Sequence, residues 1–145
     1  MKIIWEKNIS LEAINRFAEK SIVGYLGIKF IEKGNSFIKA TMPVDKRTIQ
    51  PLGILHGGAS AVLAETLGSM ASHLTLDDEH YSVGLEIKAN HIKSVTKGLV
   101  TGKVEPVHLG KITQIWDISI ENEQKQLICV SRLTLVVLKG HLPDN

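Results

Sequence analysis

Apolar residues recur along this chain with two different spacings, which divide it into predicted helices and strands. Ser10 precedes a stretch with helical spacing, and this predicts a capped helix over about residues 11–20. Two shorter apolar runs then predict a hairpin, with strands over residues 25–31 and 37–42. After a loop, an almost continuously apolar stretch predicts one long helix over about residues 57–74.

The rest of the chain has the pattern of strands. Turn-forming residues separate four of them, at about residues 81–94, 98–107, 111–121 and 126–138. One long helix followed by four consecutive strands indicates an α+β fold, in which an antiparallel meander covers the helix. We expect a single domain spanning 1–145, in which 139–145 form a frayed tail.

Composition and charge narrow the class of protein. The 145 residues are 43% hydrophobic and 22% charged, which is typical of one globular domain with its own core. A net charge of +2 does not indicate a nucleic-acid partner, although it suits an anionic ligand. The N-terminus lacks the apolar region of a signal peptide, and no apolar run approaches the ~20 residues that span a membrane. We therefore expect a cytoplasmic protein without a membrane partner.

The start of the long helix carries the clearest chemical signal. Gly57 and Gly58 lack a Cβ, so a ligand can approach their backbone where the first N–H groups of a helix are unpaired. Those N–H groups and the helix dipole favour developing negative charge, as an oxyanion site requires. Glu65 follows roughly 12 Å further along the axis. A carboxylate in so apolar a stretch either pairs with a basic residue or has a chemical task.

Helical spacing also divides this helix into two faces. Glu65 shares one face with the small residues Ala61, Ala64, Gly68 and Ser72, and Ser69 lies one turn beyond it. The opposite face is bulkier, with Val62, Leu63, Thr66, Leu67 and Met70. We expect the bulky face to pack into the core and the small face to admit a substrate or a second protomer.

Three blocks of sequence, in order, resemble the hotdog-fold acyl-CoA thioesterases. They are residues 50–58 with Glu65 and Ser69, then residues 84–91, then residues 108–110, and the resemblance covers about residues 1–138. Within that family the chain is similar to the branch that hydrolyses aromatic acyl-CoAs, such as 1,4-dihydroxy-2-naphthoyl-CoA of menaquinone biosynthesis, or that clears misloaded aryl carrier proteins. The resemblance implies a long sheet around the helix, and a homodimer or homotetramer whose active sites are shared between protomers.

The resemblance also implies roles for the catalytic candidates. Glu65 would act as a nucleophile or as a general base toward water. His56 and the Gly57 N–H would hold and polarise the thioester carbonyl, while Gln50 and Ser69 would help to place the water. The residue types agree, because a thioester carbonyl is electrophilic enough for one carboxylate and preorganised donors to suffice.

A second set of residues would hold coenzyme A, which is part of the substrate. By the resemblance these are Gly84, His91, Ile92, Lys93, Ser94, His108, Leu109, Gly110 and Lys111. No separate cofactor is expected, and no cluster of histidine, cysteine or aspartate has the spacing of a metal site. The phosphopantetheine arm of an acyl or aryl carrier protein is the alternative donor of the acyl group.

Each catalytic candidate also has a purely structural explanation. His56 could simply cap the helix, and the Ser69 hydroxyl could bond back to the carbonyl of Glu65. Hotdog folds also include hydratases, and a non-catalytic acyl-CoA-binding protein is a third class. The presence of Glu65 together with His56 and Gln50 argues against a non-catalytic binding protein. The fold alone does not decide between a hydrolase and a hydratase, and the acyl group and the exact route of attack also stay open.

Overall fold

The computed structural model describes residues 2–142, in which three helices and six strands follow one another. The helices are α1 (Leu11–Ala18), α2 (Ile22–Tyr25) and α3 (Gly57–Thr75). The strands are β1 (Lys29–Lys33), β2 (Ile38–Pro43), β3 (His80–His91), β4 (Leu99–Leu109), β5 (Thr113–Glu121) and β6 (Leu127–Lys139). None of the helices in this part of the chain is both long and apolar enough to cross a membrane.

The six strands form one antiparallel sheet around α3, which confirms the expected α+β hotdog architecture. Their order in the sheet is β1-β2-β4-β5-β6-β3. The predicted meander is therefore right for β4, β5 and β6 but wrong for β3, which pairs with β6 at the sheet edge. The reason is that residues 92–98 form a crossover and not a hairpin turn. This crossover passes the start of α3, where the Leu55 N–H donates to the Val95 carbonyl at 2.7 Å.

The N-terminal elements follow local signals closely, with one exception. Ser10 caps α1, because its hydroxyl accepts a hydrogen bond from the Ala13 N–H at 3.2 Å. The β1–β2 hairpin also forms, but its first strand begins at Lys29, later than predicted. Tyr25 instead ends α2, and Gly27 then turns the chain with a φ of 71°, which glycine adopts without strain.

The face of α3 that packs against the sheet differs from the predicted one. Leu63 and Leu67 are fully buried as expected, but the small residues expected to face a partner are buried too, namely Ala64, Gly68 and Ser72. A Cβ on Gly68 would lie 2.4 Å from Cδ2 of Leu133, so this glycine lets the helix approach β6 closely. The expectation that the small face admits a substrate or a second protomer is therefore wrong for Ala64, Gly68 and Ser72, which the surrounding sheet covers.

The two edges of the sheet differ in length. β1 has five residues, whereas β3 has twelve, and the outer edge of β3 pairs with no strand of residues 2–142. Apolar side chains are exposed on this strand, with Val83 37% and Leu85 61% accessible. A long, apolar, unpaired edge is a template for pairing with another chain.

The last strand extends to Lys139, the first residue of the predicted tail. Lys139 pairs with His80 as the last residue of β6, and the Gly140 N–H donates to the Glu79 carbonyl at 2.8 Å. The strand therefore continues into the tail that was expected to begin at residue 139. Residues 143–145 of that tail lie outside the described residues.

Candidate functional site

Glu65 projects from the middle of α3 toward β3. Its carboxylate is half-buried, and within residues 2–142 it has neither a hydrogen bond nor an ion pair. Burial raises the pKa of Glu65, so its ionised form is a better proton acceptor than an ordinary glutamate. A basic partner, which would have made this a purely structural carboxylate, is missing from the described chain. The predicted structural alternative, an ion pair, is therefore not observed in this part of the chain.

His56 caps the N-terminus of α3. Its ring Nδ1 accepts a hydrogen bond from the Gly58 N–H at 2.8 Å. The backbone N–H of His56 donates to the Thr48 carbonyl at 2.8 Å. A neutral imidazole whose Nδ1 accepts must carry its proton on Nε2. The cap therefore fixes the tautomer, so that Nε2–H is available as a donor to a ligand.

Gly57, the first residue of α3, supplies a second donor. The His56 carbonyl accepts from the N–H groups of Ala59 and Ser60, at 2.9 and 3.2 Å, but the Gly57 N–H has no acceptor within residues 2–142. This N–H lies at the positive end of the helix dipole. The start of α3 thus combines two donors suited to a carbonyl oxygen that is gaining negative charge.

A cavity of about 300 Å³ opens beside Gly57, and His56 is not among the residues that line it. It is lined by Gln50, Ile54, Leu55, Gly57, Ser60, His91, Ile92, Lys93, Ser94 and Ile128. The structure therefore brings Gln50 and Gly57 together with the first predicted CoA-binding segment, residues 91–94. A Cβ on Gly57 would lie 2.8 Å from Nε2 of His91. Four of these lining residues were not predicted as site residues, namely Ile54, Leu55, Ser60 and Ile128. The spacing of Ser60 from Gly57, one helical turn, could have indicated Ser60.

Gln50 lines this cavity from a closed loop. Its Oε1 accepts a hydrogen bond from the Leu52 N–H, and its backbone N–H donates to the Ile54 carbonyl at 2.8 Å. The amide NH2 group of Gln50 makes no hydrogen bond within residues 2–142, so it can donate to a ligand.

The second predicted CoA-binding segment lies elsewhere. His91 pairs with Cys129, whereas Thr113, just after the turn at residues 108–111, pairs with Val136. Those two partners are roughly 23 Å apart along β6 by strand rise. One protomer therefore does not bring residues 91–94 and 108–111 together.

Glu65 is also separated from the donors of its own protomer. It lies roughly 12 Å along the helix axis from Gly57, with Ser69 a further turn away. The Ser69 hydroxyl makes no hydrogen bond among the described residues, so the predicted alternative of a bond to the Glu65 carbonyl is not observed. The carboxylate and the two donors thus occupy different parts of α3.

Other reactive groups in residues 2–142 do not form a rival site. Burial raises the pKa of the Cys129 thiol, which disfavours the nucleophilic thiolate. No group of three or more histidine, cysteine, aspartate or glutamate side chains in this part of the chain could hold a metal ion.

Comparisons with known proteins identify the family of this chain. The model of the Thioesterase superfamily matches residues 52–129, a range that includes His56, Gly57 and Glu65. The 1,4-dihydroxy-2-naphthoyl-CoA hydrolase of Escherichia coli strain K12 is 50% identical over 136 residues, covering 94% of this chain and 100% of that protein. The proofreading thioesterase EntH of Cronobacter turicensis is 48% identical, covering 94% and 99%. The crystal structure of a thioesterase from Haemophilus influenzae superposes with a TM-score of 0.93 at 46% identity, covering 98% and 99%.

Proposed function

The chain belongs to the thioesterase superfamily and is a thioester hydrolase, and from this premise we propose that it releases CoA from aromatic acyl-CoA thioesters. The observation that carries the catalytic assignment is the half-buried Glu65 carboxylate, which has no partner in residues 2–142. The acyl class is supported by the relative named for 1,4-dihydroxy-2-naphthoyl-CoA. The pathway that corresponds to this substrate is menaquinone biosynthesis, and we propose a role for the protein there.

The first chemical task is to polarise the thioester. In this proposal the carbonyl oxygen accepts hydrogen bonds from the Gly57 N–H and from Nε2–H of His56. Both groups are held in place by the helix cap before the substrate arrives, so no reorganisation is needed when the oxygen becomes negative. Gln50, which lines the cavity, helps to place the water with its amide NH2 group.

The second task is attack on the carbonyl carbon, which Glu65 can perform by two routes. As a general base it takes a proton from water while the water oxygen bonds to carbon. As a nucleophile it bonds to the carbon itself, and water then cleaves the resulting anhydride. In both routes the C–S bond breaks, CoA leaves as a thiolate and is protonated, and the carboxylic acid is released. In this proposal Ser69, one turn from Glu65, helps to place the water.

The donors His56 and Gly57 and the carboxylate of Glu65 can act on the same substrate only if two protomers share the site. Two-fold antiparallel pairing through the free edge of β3 would place the His91 end of one protomer beside the His80 end of its partner. The partner's turn at residues 108–111 lies at that same end of the sheet, so the two CoA-binding segments would meet. A homodimer, or a tetramer made of two such dimers, follows. Light scattering should give a mass of two or four chains, and a fully active monomer would contradict the shared site.

The substrate class is tested by a hydrolysis assay over aromatic, short aliphatic and long-chain acyl-CoAs, with an aryl-loaded carrier protein as a further substrate. We expect the largest kcat/KM with the aromatic acyl-CoAs. A larger value with the carrier protein would instead establish proofreading of misloaded carriers, the alternative favoured by similarity to EntH. Turnover of an enoyl-CoA without release of thiol would indicate a hydratase and contradict the proposal.

The same assay tests the CoA-binding segments. Lys93→Gln and Lys111→Gln should each raise KM for CoA esters and leave kcat nearly unchanged, because neither exposed lysine touches the reacting carbon. The rise should shrink at high salt, which screens exposed phosphate contacts. Lys29→Gln, on the far edge strand β1, is the matched control. A fall in kcat with an unchanged KM would mean that these segments have been misplaced.

A further inference from the structure

The positions of β3 that face the helix are not evenly spaced. Ser82 faces α3, because the Ser72 hydroxyl donates to the Ser82 hydroxyl at 2.7 Å. Gly84, two residues on, also faces the helix. Ile87 and Ala89 pack against the core on the same side. Alternation along a strand has a period of two, so the interval of three between Gly84 and Ile87 requires an irregularity.

A β-bulge at Leu85 supplies this irregularity. Gly84 pairs with Leu135 and Glu86 pairs with Thr134, so two residues of β3 advance where β6 advances by one. The extra residue is Leu85, and its side chain is largely exposed. Bulges re-aim the side chains of a strand and are frequent next to active sites.

The bulge decides which residue lies under Glu65. In a regular strand, alternation from Ile87 would turn Leu85 toward α3, and its side chain would fill the space that the carboxylate now occupies. The bulge presents Gly84 there instead. A Cβ on Gly84 would lie 2.4 Å from Oε1 of Glu65, 3.4 Å from its Cδ and 3.8 Å from its Oε2.

We propose that Gly84 is a positioning residue for the catalytic carboxylate, because its missing Cβ leaves a recess on β3 that holds Oε1 of Glu65. This inference rests on the proposed function, since it presupposes that Glu65 performs the attack. A glutamate with no hydrogen bond in the described chain has several rotatable bonds and can point in many directions. A steric recess restricts those directions without occupying the lone pairs that the reaction needs.

The test is Gly84→Ala. The added methyl group meets the far end of a flexible side chain, so the carboxylate moves and the fold is retained. We expect kcat to fall by roughly 10²-fold, the cost of a misplacement of about 1 Å, while KM changes less than about threefold. The melting temperature should stay within a few degrees of the parent.

The pH profile gives a readout that a merely structural glycine would not move. Activity requires ionised Glu65, whose pKa burial raises, so the parent should lose kcat/KM on acidification at a higher pH than an ordinary glutamate would. A carboxylate displaced from the recess regains water, and the acid limb should move to lower pH. Burial is the sole cause of the raised pKa of Glu65. The charged residues Glu86 and Lys88 of β3 form an ion pair with each other, in which Nζ of Lys88 lies 3.8 Å from Oε1 of Glu86.

Two comparisons separate positioning from packing. In Gly102→Ala the new Cβ would lie 2.5 Å from Cδ1 of Leu67, a similar overlap inside the core, so we expect a lower melting temperature and an unchanged acid limb. In the Glu65→Asp background the shorter side chain stops short of the recess. Adding Gly84→Ala to it should therefore change kcat by less than about twofold.

Three results would overturn the inference. The first is a parent-like kcat and acid limb in Gly84→Ala. The second is a raised KM with an unchanged kcat in Gly84→Ala, which would indicate a CoA contact alone. The third is an equal shift of the acid limb in Gly102→Ala. Failure of the proposed function looks different, because the parent protein itself would then release no CoA from any acyl thioester.

Discussion

Glu65→Gln is expected to lower kcat by at least ~10³-fold, above the range usual for acid–base assistance alone. Glutamine keeps the size of the side chain but removes the negative charge that both routes of attack require. Because the carboxylate makes no hydrogen bond or ion pair within residues 2–142, the change breaks no structural contact. The loss of rate can therefore be assigned to chemistry.

Stability provides the internal check on that assignment. Burial raises the folded-state pKa of Glu65 above its unfolded value, so the stabilisation linked to its protonation is present at low pH and lost as pH rises through the raised pKa. At neutral pH the variant should consequently melt no lower than the parent. Glu86→Gln, an exposed position on the same strand as Gly84, is the control. Activity of Glu65→Gln within tenfold of the parent would rule out both routes.

Gly57→Pro is expected to lower kcat by about 10²–10³-fold relative to Gly57→Ala, the cost of removing one oxyanion donor. Proline is favoured at the first position of a helix, and the preceding His56 has φ −69° and ψ 130°, which a residue before proline readily adopts. The substitution therefore removes one N–H while α3 is preserved.

Gly57→Ala is the matched control for that donor. It adds the same Cβ, 2.8 Å from Nε2 of His91, and keeps the N–H. Any disturbance of His91 should appear in both variants, whereas loss of the oxyanion donor should appear only with proline. Equal kcat values for the two variants would exclude a role for the Gly57 N–H.

The two inactive variants together test whether the site is shared. In a mixed dimer of Glu65→Gln and Gly57→Pro protomers, one of the two sites would contain both an intact carboxylate and an intact donor. Co-expression should restore roughly a quarter of the parent activity, given random pairing into dimers. If each protomer used its own Glu65 and Gly57, no combination would regain activity.

Much of the fold could be predicted because its signals are local. The glycines and apolar spacing that mark α3 predict residues 57–74, and the structure has Gly57–Thr75. Turn residues likewise place the starts of β4 and β6 within about one residue. The donors at the start of α3 could be recognised in the same way, because a helix cap, its unpaired N–H groups and its dipole all arise from consecutive residues.

Only the tertiary structure decided the features that join distant parts of the chain. The position of β3 beside β6 could not be read from its own alternation, because that pattern is the same whichever strand lies next to it. The bulge at Leu85, the buried small face of α3 and the absence of a partner for Glu65 in residues 2–142 are of this kind. Local spacing determines which residues share an element. What each element packs against depends on contacts between residues far apart in sequence, and the setting of the candidate carboxylate is made of such contacts.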